Sequence, residues 1–162
     1  MEKLISIELR NYIEKNDAFK LINWLSDFDV IQYMNEEKAM INTLNNILNN
    51  KQEPLLTYYL NQSCIFHMID LNNAPIGFIS LIPYNNNIYE IVIAIGNKEL
   101  WGKKIAKHVL NDTINYIQDK LNGKKLIAKI HHQNTRSINL FTHFGFDKVY
   151  ENETYLHFQL IL

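Results

Sequence analysis

The residues richest in chemical information are Leu100-Trp101-Gly102-Lys103-Lys104-Ile105-Ala106-Lys107-His108. They lead into a long amphipathic stretch, so they mark a helix start. A helix N-terminus exposes unpaired amide N–H groups and about half a positive charge. Ser, Asp or Glu suits such a place. This sequence puts Lys103, Lys104 and Lys107 there instead, with no acid after Glu99. On an ordinary folded domain each misplaced charge costs roughly 0.3 kcal/mol or more. An anion reverses the balance. A phosphate accepts hydrogen bonds from the free amides, answers the helix dipole and neutralises the lysines. Gly102 lets the backbone come close to it. The segment lacks both the G-x-x-x-x-G-K-[S/T] of a P-loop and the G-x-G-x-x-G of a dinucleotide site.

Other reactive side chains point to plainer roles. His131-His132 lacks metal-ligand spacing and falls at a strand end, so no metal site is expected. Cys64 opens a strand without an activating partner and reads as a core thiol.

The elements that carry these residues follow from periodicity. Ile5, Ile7 and Leu9 alternate with polar residues and predict a first strand. Asp17 precedes a helical stretch from Ala18 to Ser26, broken at Asp27-Phe28-Asp29, and a second helical region runs from about Glu36 to Asn49. Leu55 to Leu60 is ambiguous. Ile65–Asp70, Ile76–Ile82 and Tyr89–Ile95 read as three strands joined by asparagine-rich turns, an antiparallel meander. From Ile105 to Leu121 the apolar residues share one half of a helical wheel, and Asn122-Gly123 ends that helix. Lys125–Ile130 is a strand, Asn134–His143 a short helix, and Asp147–Glu151 and Tyr155–Leu162 a closing hairpin. The heavy use of asparagine reads as solvation rather than function.

The order β-α-α-β-β-β-α-β-α-β-β predicts one α+β domain over residues 1–162, with a mixed, mostly antiparallel central sheet flanked by helices. The unit from Tyr89 to Ile130 should be a parallel crossover. Apolar residues at 47% exclude wholesale disorder, and sixteen basic against seventeen acidic residues disfavour a nucleic-acid surface. One cysteine forbids an intramolecular disulfide. No run approaches the ~18 apolar residues of a membrane helix. With an opening Met1–Glu8 unlike a signal peptide, the expectation is a cytoplasmic protein without membrane association.

Three segments together resemble the GCN5-related N-acetyltransferase (GNAT) superfamily. Trp101-Gly102-Lys103-Lys104-Ile105-Ala106 looks like its acyl-CoA pyrophosphate loop, in the bacterial W-G-K-x-x-A form. Tyr89-Glu90-Ile91-Val92-Ile93-Ala94-Ile95-Gly96 resembles its fourth strand. Asn134 to Phe146 resembles its N-x-x-S-x-x-L-Y-x-x-x-G-F segment, carrying Ser137, Phe141 and Gly145 at the matching places.

The resemblance implies acetyl-CoA as cosubstrate and a primary amine as acceptor, on a small molecule or a protein N-terminus. Backbone groups of Ile93, Ala94 and Ile95 would hold the pantetheine arm between splayed strands. Amides from Gly102 through Lys103, Lys104, Ile105 and Ala106 would hold the pyrophosphate. Asn134 would bond the pantetheine, with Ser137 beside it in the motif and Phe141 next to the thioester. Glu90 is the candidate catalytic base, since an alkylamine is mostly protonated at pH 7 and must lose a proton before attack. Two positions depart from the family pattern. Lys104 stands where glycine is usual. Phe141 replaces a tyrosine that protonates the leaving thiolate, which leaves that proton to a water, another tyrosine or His143. A weakly catalytic CoA-binding sensor is the rival reading. Trp24, Tyr33 and Met34 lie in the N-terminal helical region, which in this family shapes the acceptor pocket, and read as core residues of which one or two could touch substrate. Asp27, Asp29, Glu36 and Glu37 could attract a polycationic acceptor. A homodimer is one oligomeric state compatible with the family.

Overall fold

Asparagine shapes this chain's turns. Asn72 and Asn73 sit at φ 49° and 66°, Asn86 and Asn87 both at 60°, and Asn122 at 49°. Few residues other than glycine accept the left-handed region, and asparagine is one of them. The abundance read as solvation therefore has a conformational cause at these five positions. The first pair turns β2 (Ile65–Leu71) into β3 (Ala74–Pro83), and the second leads into β4 (Ile88–Ile95). Asn122 closes the helix that follows.

The computed structural model describes residues 5–34 and 37–162. Ahead of β2 come β1 (Ile7–Arg10), α1 (Lys15–Leu25), α2 (Phe28–Ile31), α3 (Glu37–Asn49) and α4 (Leu55–Leu60). After β4 come α5 (Ile105–Leu121), β5 (Lys125–His131), α6 (Thr135–His143), β6 (Asp147–Glu151) and β7 (Tyr155–Ile161). The strands hydrogen-bond in the order β1-β2-β3-β4-β5-β7-β6. This is the mixed, mostly antiparallel sheet with helices that the sequence predicts.

One local expectation needs correction, and two others gain detail. The first helix starts at Lys15 rather than Ala18, because Glu14 and Asp17 form a reciprocal capping box in which Asp17 Oδ2 accepts from the Glu14 amide at 2.8 Å. Asp27-Phe28-Asp29 does not simply break the chain. Asp27 caps the short α2 by accepting from the Asp29 amide at 3.0 Å. Leu55–Leu60 resolves as helix, burying Leu56 and Leu60. Glu36, where the second helical region was expected to begin, lies outside the described residues.

The chain divides into two compact units, one of Met1–Ser80 with Ile93–Lys103 and one of Leu81–Val92 with Lys104–Leu162. The first unit packs Leu21, Leu25, Leu44, Leu56, Phe66, Met68 and Phe78 into one core, with Phe66 stacked on Phe78 at 5.3 Å. There β1 runs antiparallel to β2, pairing Arg10 with Met68. Arg10 turns its guanidinium onto two buried acids. It donates to Asp17 at 2.7 and 2.9 Å and to Asp70 at 2.7 and 3.2 Å. These bonds, the one to Asp17 foremost, raise its pKa further, so its charge is permanent.

In the second unit α5 buries Ile105, Val109, Leu110, Thr113 and Ile117 along one stripe. Thr113 is the polar member that the apolar wheel leaves out. Its hydroxyl donates to the Val109 carbonyl at 2.7 Å and is thereby satisfied. β5 pairs antiparallel with β7 along its whole length, from Lys125↔Ile161 to His131↔Tyr155.

Candidate active site

β4 and β5 run parallel, as the crossover predicts, but only over Ile88↔Lys125, Tyr89↔Leu126 and Glu90↔Ile127. Past Ile127, β5 continues on β7 alone among the described pairings. Strand pairing therefore ends at the residue singled out as the candidate base.

Glu90 is held by two neighbours. Its Oε2 accepts from the Tyr84 hydroxyl at 2.8 Å and lies 3.1 Å from Lys129 Nζ. Lys129 Nζ in turn donates to Tyr84 Oη at 3.2 Å. Hydrogen bonding to Tyr84 raises the Lys129 pKa, with Glu90 adding to the effect and burial opposing it. The sequence offered no sign of Tyr84 or Lys129. Tyr84 lies in the β3–β4 turn, which folds it back onto Glu90 six residues on, and Lys129 is one polar residue in an alternating strand that the β4–β5 register brings to Glu90.

Farther along β4, Ile93, Ala94 and Ile95 belong to the first unit. Trp101 donates its indole Nε1–H to the Ile95 carbonyl at 2.8 Å, so the loop is tied to the strand end. A Cβ at Gly96 would overlap the Trp24 indole, which closes over that glycine. Trp24 and Met34 pack partly buried against the first unit's core, the packing role expected of them.

The loop itself makes two left-handed steps. Gly102 has φ 78°, and a Cβ there would meet nothing within 4 Å. Lys104, the N-terminal flanking residue of α5, has φ 62° and ψ 12°. The departure from the family's glycine thus falls where glycine's conformation is still required. No side chain caps this helix, and its first turn holds no acid. Among the described residues, Lys103, Lys104 and Lys107 form no ion pair with an acid. Open space at Gly102, uncapped amides and three unneutralised cations together fit a phosphate-bearing ligand.

Asn134 caps α6, accepting from the Ser137 amide at 3.3 Å through Oδ1. That leaves its NH2 to donate elsewhere. Phe141 is buried and meets Phe146 edge-on at 4.9 Å. His143 is exposed in the last turn of α6 and lies against Phe144.

The remaining candidates are engaged in local structure. His131 Nδ1 accepts from the Gln133 amide at 3.1 Å, and His132 Nε2 lies 2.6 Å from the Asn152 carbonyl. Cys64 Sγ lies 3.2 Å from the Leu60 carbonyl. No group of three metal-ligating side chains occurs among the described residues. Asp27 and Asp29, proposed from sequence to attract a polycation, both bind Lys98, at 2.7 and 3.1 Å. Hydrogen bonding to Lys98 lowers the Asp27 pKa, and the two acids raise that of Lys98. No helix among the described residues is long and apolar enough to cross a membrane.

Comparison with known proteins identifies the family and the fold. Residues 6–147 match the acetyltransferase (GNAT) domain. The chain belongs to this family of acetyltransferase domains. It is 27% identical over 152 residues to an uncharacterized N-acetyltransferase, p20, of Bacillus licheniformis, covering 84% of this chain and 76% of that one. An uncharacterized protein of Methanocaldococcus jannaschii is 36% identical over 73 residues, 45% of this chain, and the match spans only 15% of that relative's length. Among solved structures, a domain from Methanocaldococcus jannaschii superposes with a TM-score of 0.76 at 25% identity, covering 98% of this chain and 99% of that one. The Campylobacter jejuni N-acetyltransferase PseH, in complex with acetyl coenzyme A, gives 0.68 at 14% identity with 98% and 99% covered, a likeness of fold.

Proposed function

We propose that this chain moves the acetyl group of acetyl-CoA directly to a primary amine. The observation that carries the reading is the start of α5: an uncapped helix end with two left-handed backbone steps and three lysines lacking acid partners. Amides from Gly102 to Ala106 receive the pyrophosphate, although that of Lys103 already donates to the Leu100 carbonyl at 3.3 Å, with Lys103 and Lys104 as counter-ions. Trp101 anchors the loop. Backbone groups of Ile93, Ala94 and Ile95 serve the pantetheine, although the Ile95 carbonyl already accepts from Trp101. Asn134 has its NH2 left for the same arm, and Ser137 lies beside it in the motif.

Glu90 takes the proton that an ammonium must lose before its nitrogen can attack. The amide near Ile93 polarises the thioester carbonyl. The new bond joins the amine nitrogen to the acetyl carbon, the carbon–sulfur bond breaks, the sulfur leaves as thiolate, and the second proton that the nitrogen sheds passes through water toward that thiolate. Phe141 has no proton to donate and is buried against Phe146. A thiolate of pKa near ~8.5 departs without obligatory protonation, so water can supply that proton. Phe141 also favours the second reading, a CoA-binding module with little turnover.

Thiol release with acetyl-CoA against small amines, amino sugars and N-terminal peptides tests the proposal. Amine-dependent release supports transfer. Tight CoA binding with no release from any amine supports the second reading.

A further inference from the structure

The inference drawn here rests on the reading of Glu90 as base and deepens it. One carboxylate oxygen is saturated and the other is not. Tyr84 and Lys129 both act on Oε2, at 2.8 and 3.1 Å, and bond to each other at 3.2 Å. Among the described residues Oε1 has no partner. The Glu90 side chain is 12% exposed, so few waters hold it in place. A base that is to accept a proton from a bound amine must stay in one orientation, with an oxygen facing the substrate. Pinning Oε2 from two directions does this.

The pinning is built into the sheet. Glu90 pairs with Ile127, and Lys129 lies two residues on, on the same face. Opposite Lys129 on β7 is His157, whose Nε2 is buried with no hydrogen-bond partner among the described residues. Tyr150 of β6 meets His157 at 5.0 Å between ring centroids. His157, Tyr150 and, two residues along β5, His131 with Tyr155 opposite it share this face of the sheet with Lys129. The ring of Tyr84, Glu90 and Lys129 carries one negative and one positive charge. A polycation gains little from such a site, because Lys129 repels what Glu90 attracts. Asp27 and Asp29 are likewise compensated, by Lys98.

We propose that Lys129 and Tyr84 are positioning residues that pin Glu90 through Oε2, present Oε1 to the acceptor nitrogen, and suit the site to a monoamine rather than a polyamine.

The test compares wild type with Lys129→Met, Lys129→Arg, Tyr84→Phe and Glu90→Gln. Calorimetric titration with acetyl-CoA comes first. Binding by wild type and by Lys129→Met alike keeps the cofactor assignment separate from this inference, whereas no binding by wild type removes the proposed function itself. Thiol release is then measured with a panel of primary monoamines and a panel of polyamines. Expected is faster release with monoamines, and a fall in kcat of about tenfold or more in Lys129→Met with KM for acetyl-CoA unchanged. Lys129→Arg should recover most of the loss. The double variant Lys129→Met/Glu90→Gln should be no slower than Glu90→Gln alone, a coupling that a merely structural lysine would not show. Release with polyamines only, or a Lys129→Met kcat equal to wild type, overturns the proposal, whereas acetyl-CoA binding with release from neither panel removes the proposed transfer itself.

Discussion

The indole Nε1 of Trp101 donates to the carbonyl oxygen of Ile95 at 2.8 Å, joining the loop before α5 to the last residue of β4. A strand end and a phosphate loop are thereby held by one hydrogen bond. Trp101→Phe keeps most of the ring and loses the donor. The Ile95 carbonyl then lacks its partner, at a cost of about 1 kcal/mol. Calorimetry should show acetyl-CoA binding weakened by roughly fivefold, since about 1 kcal/mol corresponds to that factor. Affinity equal to wild type would separate the tie from the loop's function.

Lys104 makes a different prediction, because its conformation is costly. A side chain in the left-handed region costs about 1–2 kcal/mol, and glycine returns part of that gain as lost chain entropy. Lys104→Gly should therefore stabilise the free protein by roughly 0.5–1 kcal/mol in urea denaturation. It should also weaken acetyl-CoA binding, through the lost cation. Stability unchanged, or affinity improved, would speak against strain kept for a phosphate site.

Arg10 supports the fold rather than the chemistry. Its side chain and those of Asp17 and Asp70 are each less than a tenth exposed. Arg10→Met would leave two buried carboxylates without their cation, at a cost of about 3–5 kcal/mol. Denaturant unfolding reads this directly, and a loss under about 1 kcal/mol would mean that the acids find solvent instead.

Burial lowers the pKa of His67, in β2, below the ordinary 6.5. Between 6.5 and that lower value the unfolded chain binds more protons than the folded one. Stability should therefore fall as pH drops below 6.5, and level off beneath the folded value. His67→Gln should flatten this slope in thermal denaturation followed from pH 7.5 to 5. A slope equal to wild type would assign it to other groups.

Much of the architecture was legible in the sequence because its signals are local. Period-two alternation marked β1, apolar runs between asparagine-rich turns marked the central strands, and a 3.6-residue stripe marked α5. Helix starts were less legible: an E-x-x-D capping box at Glu14 and Asp17 does the work that a cap at Asp17 was expected to do. The asparagines were seen but their left-handed role was not, since φ is not written in composition. At the candidate site, the loop could be read from charge at a helix start, and Glu90 through family resemblance. Lys129 could not, because it lies 45 residues from Tyr84 and comes to Glu90 only through the register of β4 on β5; Tyr84 is six residues from Glu90 and meets it across the β3–β4 turn, whose course periodicity does not give. The pairing of Asp27 and Asp29 with Lys98 was hidden because it is a tertiary contact between the start of α2 and a turn after β4, 69 residues on from Asp29.

The central claim is that the loop from Trp101 to Ala106 receives the pyrophosphate of acetyl-CoA. Gly102 offers the cleanest probe, with φ 78° and no atom within 4 Å of an added Cβ. Valine there is opposed by backbone conformation alone. Acetyl-CoA should be titrated calorimetrically into wild type and Gly102→Val, with circular dichroism confirming that both are folded. The account predicts one saturable site in wild type and affinity weakened by about tenfold or more in the folded variant, the loss of roughly one to two good amide bonds. Equal affinities in the two proteins would contradict it.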